Sequence, residues 1–114
     1  MPFLQIQTNL EVSPADRDML LTQASELVST HLGKDEKYFM GLVQGGQSMS
    51  FGGSEAPLAF LQLKALGLPT DHTSELSAAL CTLVTDTLAI PAERIYIEFS
   101  NVERGMWGWN GGVF

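Results

Sequence analysis

The sequence has little positive charge, a single cysteine and no long hydrophobic run. Six Lys and Arg residues stand against 13 Asp and Glu residues, which gives the 114-residue chain a formal net charge of -7. This charge repels phosphate backbones and anionic lipid head groups, so we expect no nucleic-acid and no membrane partner. No apolar run approaches the ~20 residues of a bilayer span, and no basic start leads into a hydrophobic secretory segment. We therefore expect a cytoplasmic location, with non-classical secretion as the alternative.

The lone cysteine also limits the chemistry. Cys81 can form no internal disulfide, and with His31 and His72 it makes no recognised metal-ligand spacing. We expect no metal and no cofactor, and we interpret Cys81 as a packed helix residue. The composition, with 45% hydrophobic and 17% charged residues, is that of a folded globular protein, and the length supplies one core. Residues 1–114 are thus expected to form a single domain.

An internal repeat divides the chain into halves of about residues 1–57 and 58–114. Residues 3–6, Phe-Leu-Gln-Ile, return 57 positions later as Phe-Leu-Gln-Leu at residues 60–63. Between these matches, two sets of apolar residues share one helical spacing: Leu20, Ala24, Leu27 and Val28, then Leu76, Leu80, Leu83 and Val84. That spacing places each set on one stripe of a helix, which must be buried.

Capping residues predict where the helices begin and end. Ser13 is a favoured N-cap and precedes a proline, while Gly33 can adopt the left-handed conformation of a C-cap. The first helix should lie between them. The second should span about residues 71–88, with Thr70 or Asp71 as its cap.

The strand pattern completes a doubled βαβ unit. Segments rich in aromatic and branched residues predict strands at residues 3–8, 38–43, 58–65 and 94–100. Right-handed crossovers would then produce an α+β fold, with a four-stranded mixed sheet and two helices on one face. The other face is left bare, and the hydrophobic composition favours covering it with another subunit.

A doubled βαβ unit that begins Met-Pro resembles the macrophage migration inhibitory factor and D-dopachrome tautomerase family of the tautomerase superfamily. The resemblance spans nearly the whole chain and includes these segments: Pro2-Phe3-Leu4, Thr8-Asn9-Leu10, Leu32-Gly33-Lys34, Phe51-Gly52-Gly53-Ser54, Ala65-Leu66-Gly67, Arg94-Ile95-Tyr96-Ile97 and Gly108-Trp109-Asn110. It implies a keto-enol tautomerase for phenylpyruvate-like or dopachrome-like aromatic substrates. It also implies a homotrimer with pockets at the subunit interfaces.

The predicted base is the amine of Pro2. Removal of the initiator methionine would give Pro2 a terminal secondary amine, and burial or a nearby cation would bring the pKa of that amine toward neutrality. A retained methionine would make the same nitrogen a non-basic amide. The enolate formed by proton abstraction needs a cation at its oxygen. The resemblance gives that role to Lys34, whose structural alternative is a solvated cation at a helix C-terminus.

Further site residues come from the resemblance alone. Tyr96 would line the proline pocket from a neighbouring subunit, and so would Glu98, where family members commonly carry Asn. Glu98 could equally be an exposed strand carboxylate without a role. The implied apolar walls, whose alternative is ordinary core or edge packing, are Leu66, Val102, Trp107, Trp109 and Phe114.

Departures from the family pattern keep other functions open. The Cys-x-x-Cys pair of the human cytokine branch is absent, because residues 58–61 read Leu-Ala-Phe-Leu, and Val12 and Gly46 stand where that branch has a charged pair. The alternative function is a catalytically weak binding or cytokine-mimic protein that acts through protein partners. Dehalogenase or decarboxylase chemistry would call for arginines beside the proline, and the pattern puts none of the chain's three arginines there.

Overall fold

The computed structural model describes residues 1–114. Ordered along the chain, its elements are β1 (Pro2–Thr8), α1 (Pro14–Leu32), β2 (Met40–Gln44), β3 (Ala59–Leu66), α2 (Thr73–Leu88), β4 (Ile95–Val102), β5 (Gly108–Trp109) and β6 (Gly112–Val113). Short 3-10 turns precede β2, α2, β4 and β5. The predicted strand bounds differ from the observed ones by one or two residues; β2 begins later than predicted because residues 36–38 form one of these turns.

Local capping fixes both ends of α1, as the sequence predicts. The Asp16 amide donates a hydrogen bond of 3.1 Å to Oγ of Ser13 at the N-terminus. Gly33 has φ 63°, the left-handed conformation that relieves a C-terminus, and the Lys34 amide donates back to the Ser29 carbonyl at 2.9 Å. This cap sets the direction in which the chain leaves the helix at Lys34.

The predicted cap of α2 is wrong. Residues 70–72 form a 3-10 turn, and neither Thr70 nor Asp71 caps the helix with its side chain. Instead, the Thr73 hydroxyl donates to the Thr70 carbonyl at 2.8 Å, so the turn leads directly into the helix. At the other end Ala89 adopts φ 58°, a left-handed cap by a residue other than glycine, before Pro91.

The sheet has the strand order β2-β1-β3-β4. Within each half of the chain the two strands are parallel, and β1 and β3 join the halves in antiparallel pairing. Gln5 lies opposite Gln62 at the centre of that pairing, with Leu4 opposite Leu63 and Ile6 opposite Leu61. The two copies of the repeated tetrapeptide are therefore paired with each other about a local two-fold axis, as expected for a doubled βαβ unit.

Both helices bury their apolar stripes against one face of the sheet. Leu20 and Val28 of α1, together with Leu76 and Leu80 of α2, are fully buried in a cluster that also holds Leu61 of β3. The core thus draws on both halves of the repeat. Neither helix has the combination of length and hydropathy needed to cross a membrane.

The helix-free face is mixed in character. Its middle carries glutamines: Nε2 of Gln5 and Nε2 of Gln7 donate to Oε1 of Gln44 at 2.9 and 3.1 Å. Exposed apolar residues flank them on the edge strands, with Met40 and Leu42 on β2 and Tyr96 on β4.

Candidate active site

Pro2 begins β1 at the end of the sheet. Its side chain is fully buried, and it lies opposite Ala65 of β3. A proline is accommodated at the first position of a strand because no ladder hydrogen bond from its nitrogen is needed there. The pyrrolidine ring is therefore fixed by packing.

The terminal amino group has an environment that favours its neutral form. Burial lowers the pKa of the Met1 α-amino group, and the positive charge of Lys34 lowers it further. The nitrogen of Pro2 lies one residue further along the chain, at the start of β1, in a residue that is itself buried. An amine at Pro2 is therefore expected to experience the same two effects.

Two cavities adjoin this terminus and share Met1, Tyr38 and Phe114 in their walls. The larger has a volume of about 480 Å³ and is mainly apolar; its lining residues are Met1, Pro2, Phe3, Lys37, Tyr38, Phe39, Met40, Lys64, Trp107, Gly108, Trp109 and Phe114. The smaller has a volume of about 240 Å³ and is lined by Met1, Lys34, Asp35, Tyr38, Leu66, Arg104 and Phe114. Met1 thus lies in the walls of both cavities.

The C-terminal hairpin of β5 and β6 forms the aromatic wall. Asn110 and Gly111 connect its strands with φ values of 52° and 77°, as a two-residue type I′ turn requires. The hairpin stacks Trp109 on Phe114 with ring centroids 5.4 Å apart, and Tyr38 meets the Trp109 ring edge-on at 5.7 Å. The sequence analysis missed this hairpin, although Asn-Gly is its usual signal.

Lys34 lies on the smaller cavity, where the C-terminal cap of α1 directs the chain. Arg104 lies on the same cavity, and its Nε donates to the Phe114 carbonyl at 3.1 Å. Arg104 thus shares a cavity with Met1, and Pro2 is not among the residues that line this cavity. No sequence signal pointed to Arg104, because its position depends on the 3-10 turn at residues 104–106.

Six of the nine predicted site residues line these two cavities: Pro2, Lys34, Leu66, Trp107, Trp109 and Phe114. Val102 is half-buried at the end of β4, opposite Leu66, and lines neither cavity. Tyr96 and Glu98 are also absent from both linings and lie on the helix-free face of β4.

Tyr96 and Glu98 have defined surroundings of their own. The side chain of Tyr96 is 64% exposed and packs on Phe51 with ring centroids 4.6 Å apart. Exposed Glu98 accepts a hydrogen bond of 2.9 Å from Nε2 of Gln62. Within one chain, neither residue reaches the cavities at Pro2.

Arg94 holds the long loop between β2 and β3 beside Tyr96. Its guanidinium donates to four backbone carbonyls at 2.8 to 3.3 Å, those of Phe51, Ser54, Ala56 and Pro57. It also lies over the Phe51 ring, with Cζ 5.1 Å from the ring centroid. The loop that supports Tyr96 is thus fixed by one side chain.

The sequence analysis also missed three lining residues that strand pairing could have identified. Phe3 lies opposite both Met40 and Lys64, so the residues before Met40 and the side chain of Lys64 come close to Pro2. Tyr38 and Lys37 immediately precede β2, and Nζ of Lys37 is 5.1 Å from the centroid of the Tyr38 ring. Once the repeat has fixed the register, these positions follow.

Comparison with known proteins gives one consistent result. The model of the macrophage migration inhibitory factor family matches residues 1–114. The chain is 39% identical to a macrophage migration inhibitory factor homolog of Brugia malayi and 36% identical to one of Trichuris trichiura; both alignments cover 100% of this chain, and 99% and 100% of the relatives. The solved structure of a homologue from Prochlorococcus marinus superposes with a TM-score of 0.93 at 36% identity, covering 98% of each chain.

Proposed function

The chain belongs to the macrophage migration inhibitory factor family of the tautomerase superfamily, and on that premise we propose that it is a keto-enol tautomerase with the Pro2 amine as general base. The observation that carries the proposal is the environment of Pro2 at the chain terminus. Pro2 lines an apolar cavity, and burial together with Lys34 lowers the pKa of the adjacent Met1 α-amino group. A neutral amine at working pH can accept a proton.

The proposed reaction is a proton transfer between carbon and oxygen. The Pro2 nitrogen takes the proton from the carbon next to the substrate carbonyl, and the electron pair moves to the carbonyl oxygen. The resulting ammonium can return its proton to carbon in the reverse direction. The aromatic wall of Tyr38, Trp109 and Phe114 would hold an aromatic substrate such as phenylpyruvate and keep water from the reacting carbon.

Lys34 would stabilise the negative charge that develops on the oxygen. Removal of one such group from an active site typically lowers kcat by about 10²-fold to 10³-fold. Lys34→Gln should therefore lower kcat/KM for phenylpyruvate by about 10²-fold, as followed by ultraviolet absorbance of the enol. The matched control is Arg17→Gln, because Arg17 is a cation outside both cavities and should keep the wild-type rate. A wild-type rate equal to that of buffer would favour the protein-binding alternative.

We also propose that the active form is a homotrimer. The exposed apolar residues on edge strands β2 and β4 support assembly, since such edges are usually covered. The distance along the sheet between Tyr96 and Pro2 supports a site completed by a neighbouring subunit, with Glu98 carried to the same pocket. Light scattering should report about three times the 12.4 kDa of one chain. A monomer at micromolar concentration would contradict both the trimer and the shared site.

A further inference from the structure

Positive charge is concentrated at the terminal amine of an otherwise acidic chain. The sequence has only six Lys and Arg residues against 13 Asp and Glu. Lys37 and Lys64 line the larger cavity, and Lys34 and Arg104 line the smaller one, so four of the six lie around the amine. Such a cluster of cations attracts anions, and of the four only Lys34 is partly buried.

The four cations form two groups on different sides of the terminus. Lys34 and Arg104 are on the cavity that excludes Pro2 but includes Leu66, whereas Lys37 and Lys64 are on the cavity whose other walls are largely aromatic. Met1, Tyr38 and Phe114 lie in the walls of both cavities, so the two groups of cations face adjacent spaces at the terminus.

Few carboxylates offset this charge. Asp35 is the only acidic residue on either lining, and its Oδ1 already accepts a hydrogen bond of 3.0 Å from the Lys37 amide. The Arg104 guanidinium donates its hydrogen bond to the backbone oxygen of Phe114, the last residue of the sequence, so the α-carboxylate at that residue would be a second negative charge here. Glu98, proposed above to reach the site from a neighbouring subunit, would add one further negative charge against four positive ones.

We propose that the preferred substrate is dianionic: a 2-oxo acid with an apolar or aromatic body and a second anionic group at its far end. This inference rests on the proposed function. Lys34 and Arg104 bind the 2-oxo acid end and leave its acidic carbon beside Pro2. Lys37 and Lys64 bind the second anionic group, and the aromatic wall holds the body between them.

A matched pair of substrates tests the inference. Phenylpyruvate and para-carboxyphenylpyruvate share the same enolisable unit and differ by one remote carboxylate. For the wild-type chain we expect kcat/KM to be at least about tenfold higher for the para-carboxy compound at low ionic strength, and the ratio to fall as salt screens the charges. Equal or lower efficiency with the para-carboxy compound would overturn the inference.

Single variants separate the two cationic groups. Lys64→Gln should reduce the para-carboxy preference by about threefold to tenfold, because Lys64 acts on the second carboxylate alone. Arg104→Gln should lower kcat/KM for both substrates and keep their ratio. The control Arg17→Gln makes the same change in net charge away from the cavities and should leave the ratio at its wild-type value. A change of ratio in Arg17→Gln as large as in Lys64→Gln would show a net-charge effect and overturn the assignment to the cavity.

Binding provides a readout without turnover. Calorimetry with phenylpropionate and its para-carboxy analogue, neither of which can tautomerise, should show tighter binding of the dianion, reduced by Lys64→Gln. If neither oxo acid is turned over but the dianion still binds tighter, the tautomerase proposal fails and the anion site stands. If phenylpyruvate is turned over without preference in rate or binding, the tautomerase proposal stands and the dianion site fails.

Discussion

Replacing Arg94 by lysine tests whether one guanidinium fixes the loop that supports Tyr96. The arginine donates four hydrogen bonds to backbone carbonyls, and such bonds from charged groups contribute about 1.5–3 kcal/mol each. A lysine ammonium is a compact charge and cannot span four carbonyls, so Arg94→Lys should lose two or more of them. Since Arg94 is half-buried, we expect a loss of about 2–3 kcal/mol in the free energy of unfolding.

Urea denaturation at a fixed protein concentration measures this loss, because the stability of an oligomer depends on concentration. The corresponding fall in Tm is about 8–12 °C for a domain of this size. Hydrogen exchange should accelerate at residues 45–58 before it does in the core strands. The matched control is Arg17→Lys, since the Arg17 side chain makes a single 3.3 Å hydrogen bond to Val12. A loss below about 0.5 kcal/mol in Arg94→Lys would refute the reasoning.

Three further predictions concern the site and one helix. Glu98→Asn should raise kcat/KM for phenylpyruvate several-fold and shift the rise of activity with pH to lower pH. The reason is that a carboxylate ~6 Å from the amine would favour the ammonium form by up to roughly 3 kcal/mol before screening. An unchanged pH profile would make Glu98 a solvated strand residue. Besides its loss of rate, Lys34→Gln should shift that rise to higher pH. Lys34 lowers the pKa of the Met1 α-amino group, and we expect the same effect on a terminal amine at Pro2; burial, the larger cause at Met1, would remain. Ser13→Ala should cost about 1 kcal/mol in urea denaturation through loss of the α1 cap, whereas Ser50→Ala, in the loop after β2, should cost little.

Much of the fold follows from local patterns. The repeat predicted the two βαβ units, and the apolar stripes predicted the buried helix faces, including Leu20, Val28, Leu76 and Leu80. Periodicity determines which side chains enter the core, because a helix with an apolar stripe must bury it. The start of α2 was mispredicted because Thr70 and Asp71 have cap-forming side chains, while the backbone continues from a 3-10 turn into the helix.

The site was less predictable because it is built from segments distant in sequence. The Met-Pro start and the Gly33 cap identified Pro2 and Lys34, and both lie at the cavities beside the terminus. Lys64 and Tyr38 required the register of β1 with β2 and β3. Arg104 required the path of the chain after β4, where a short turn and a two-residue hairpin strand set the direction.

The central claim is that the terminal amine of Pro2 is the base, and intact mass combined with a rate assay tests it most directly. Chains that begin at Pro2 and chains that retain Met1 are separated, their masses are confirmed, and each is assayed with phenylpyruvate. The account predicts activity only in the form that begins at Pro2, because in the other form the proline nitrogen is an amide with no basicity. Equal rates for the two forms would contradict it.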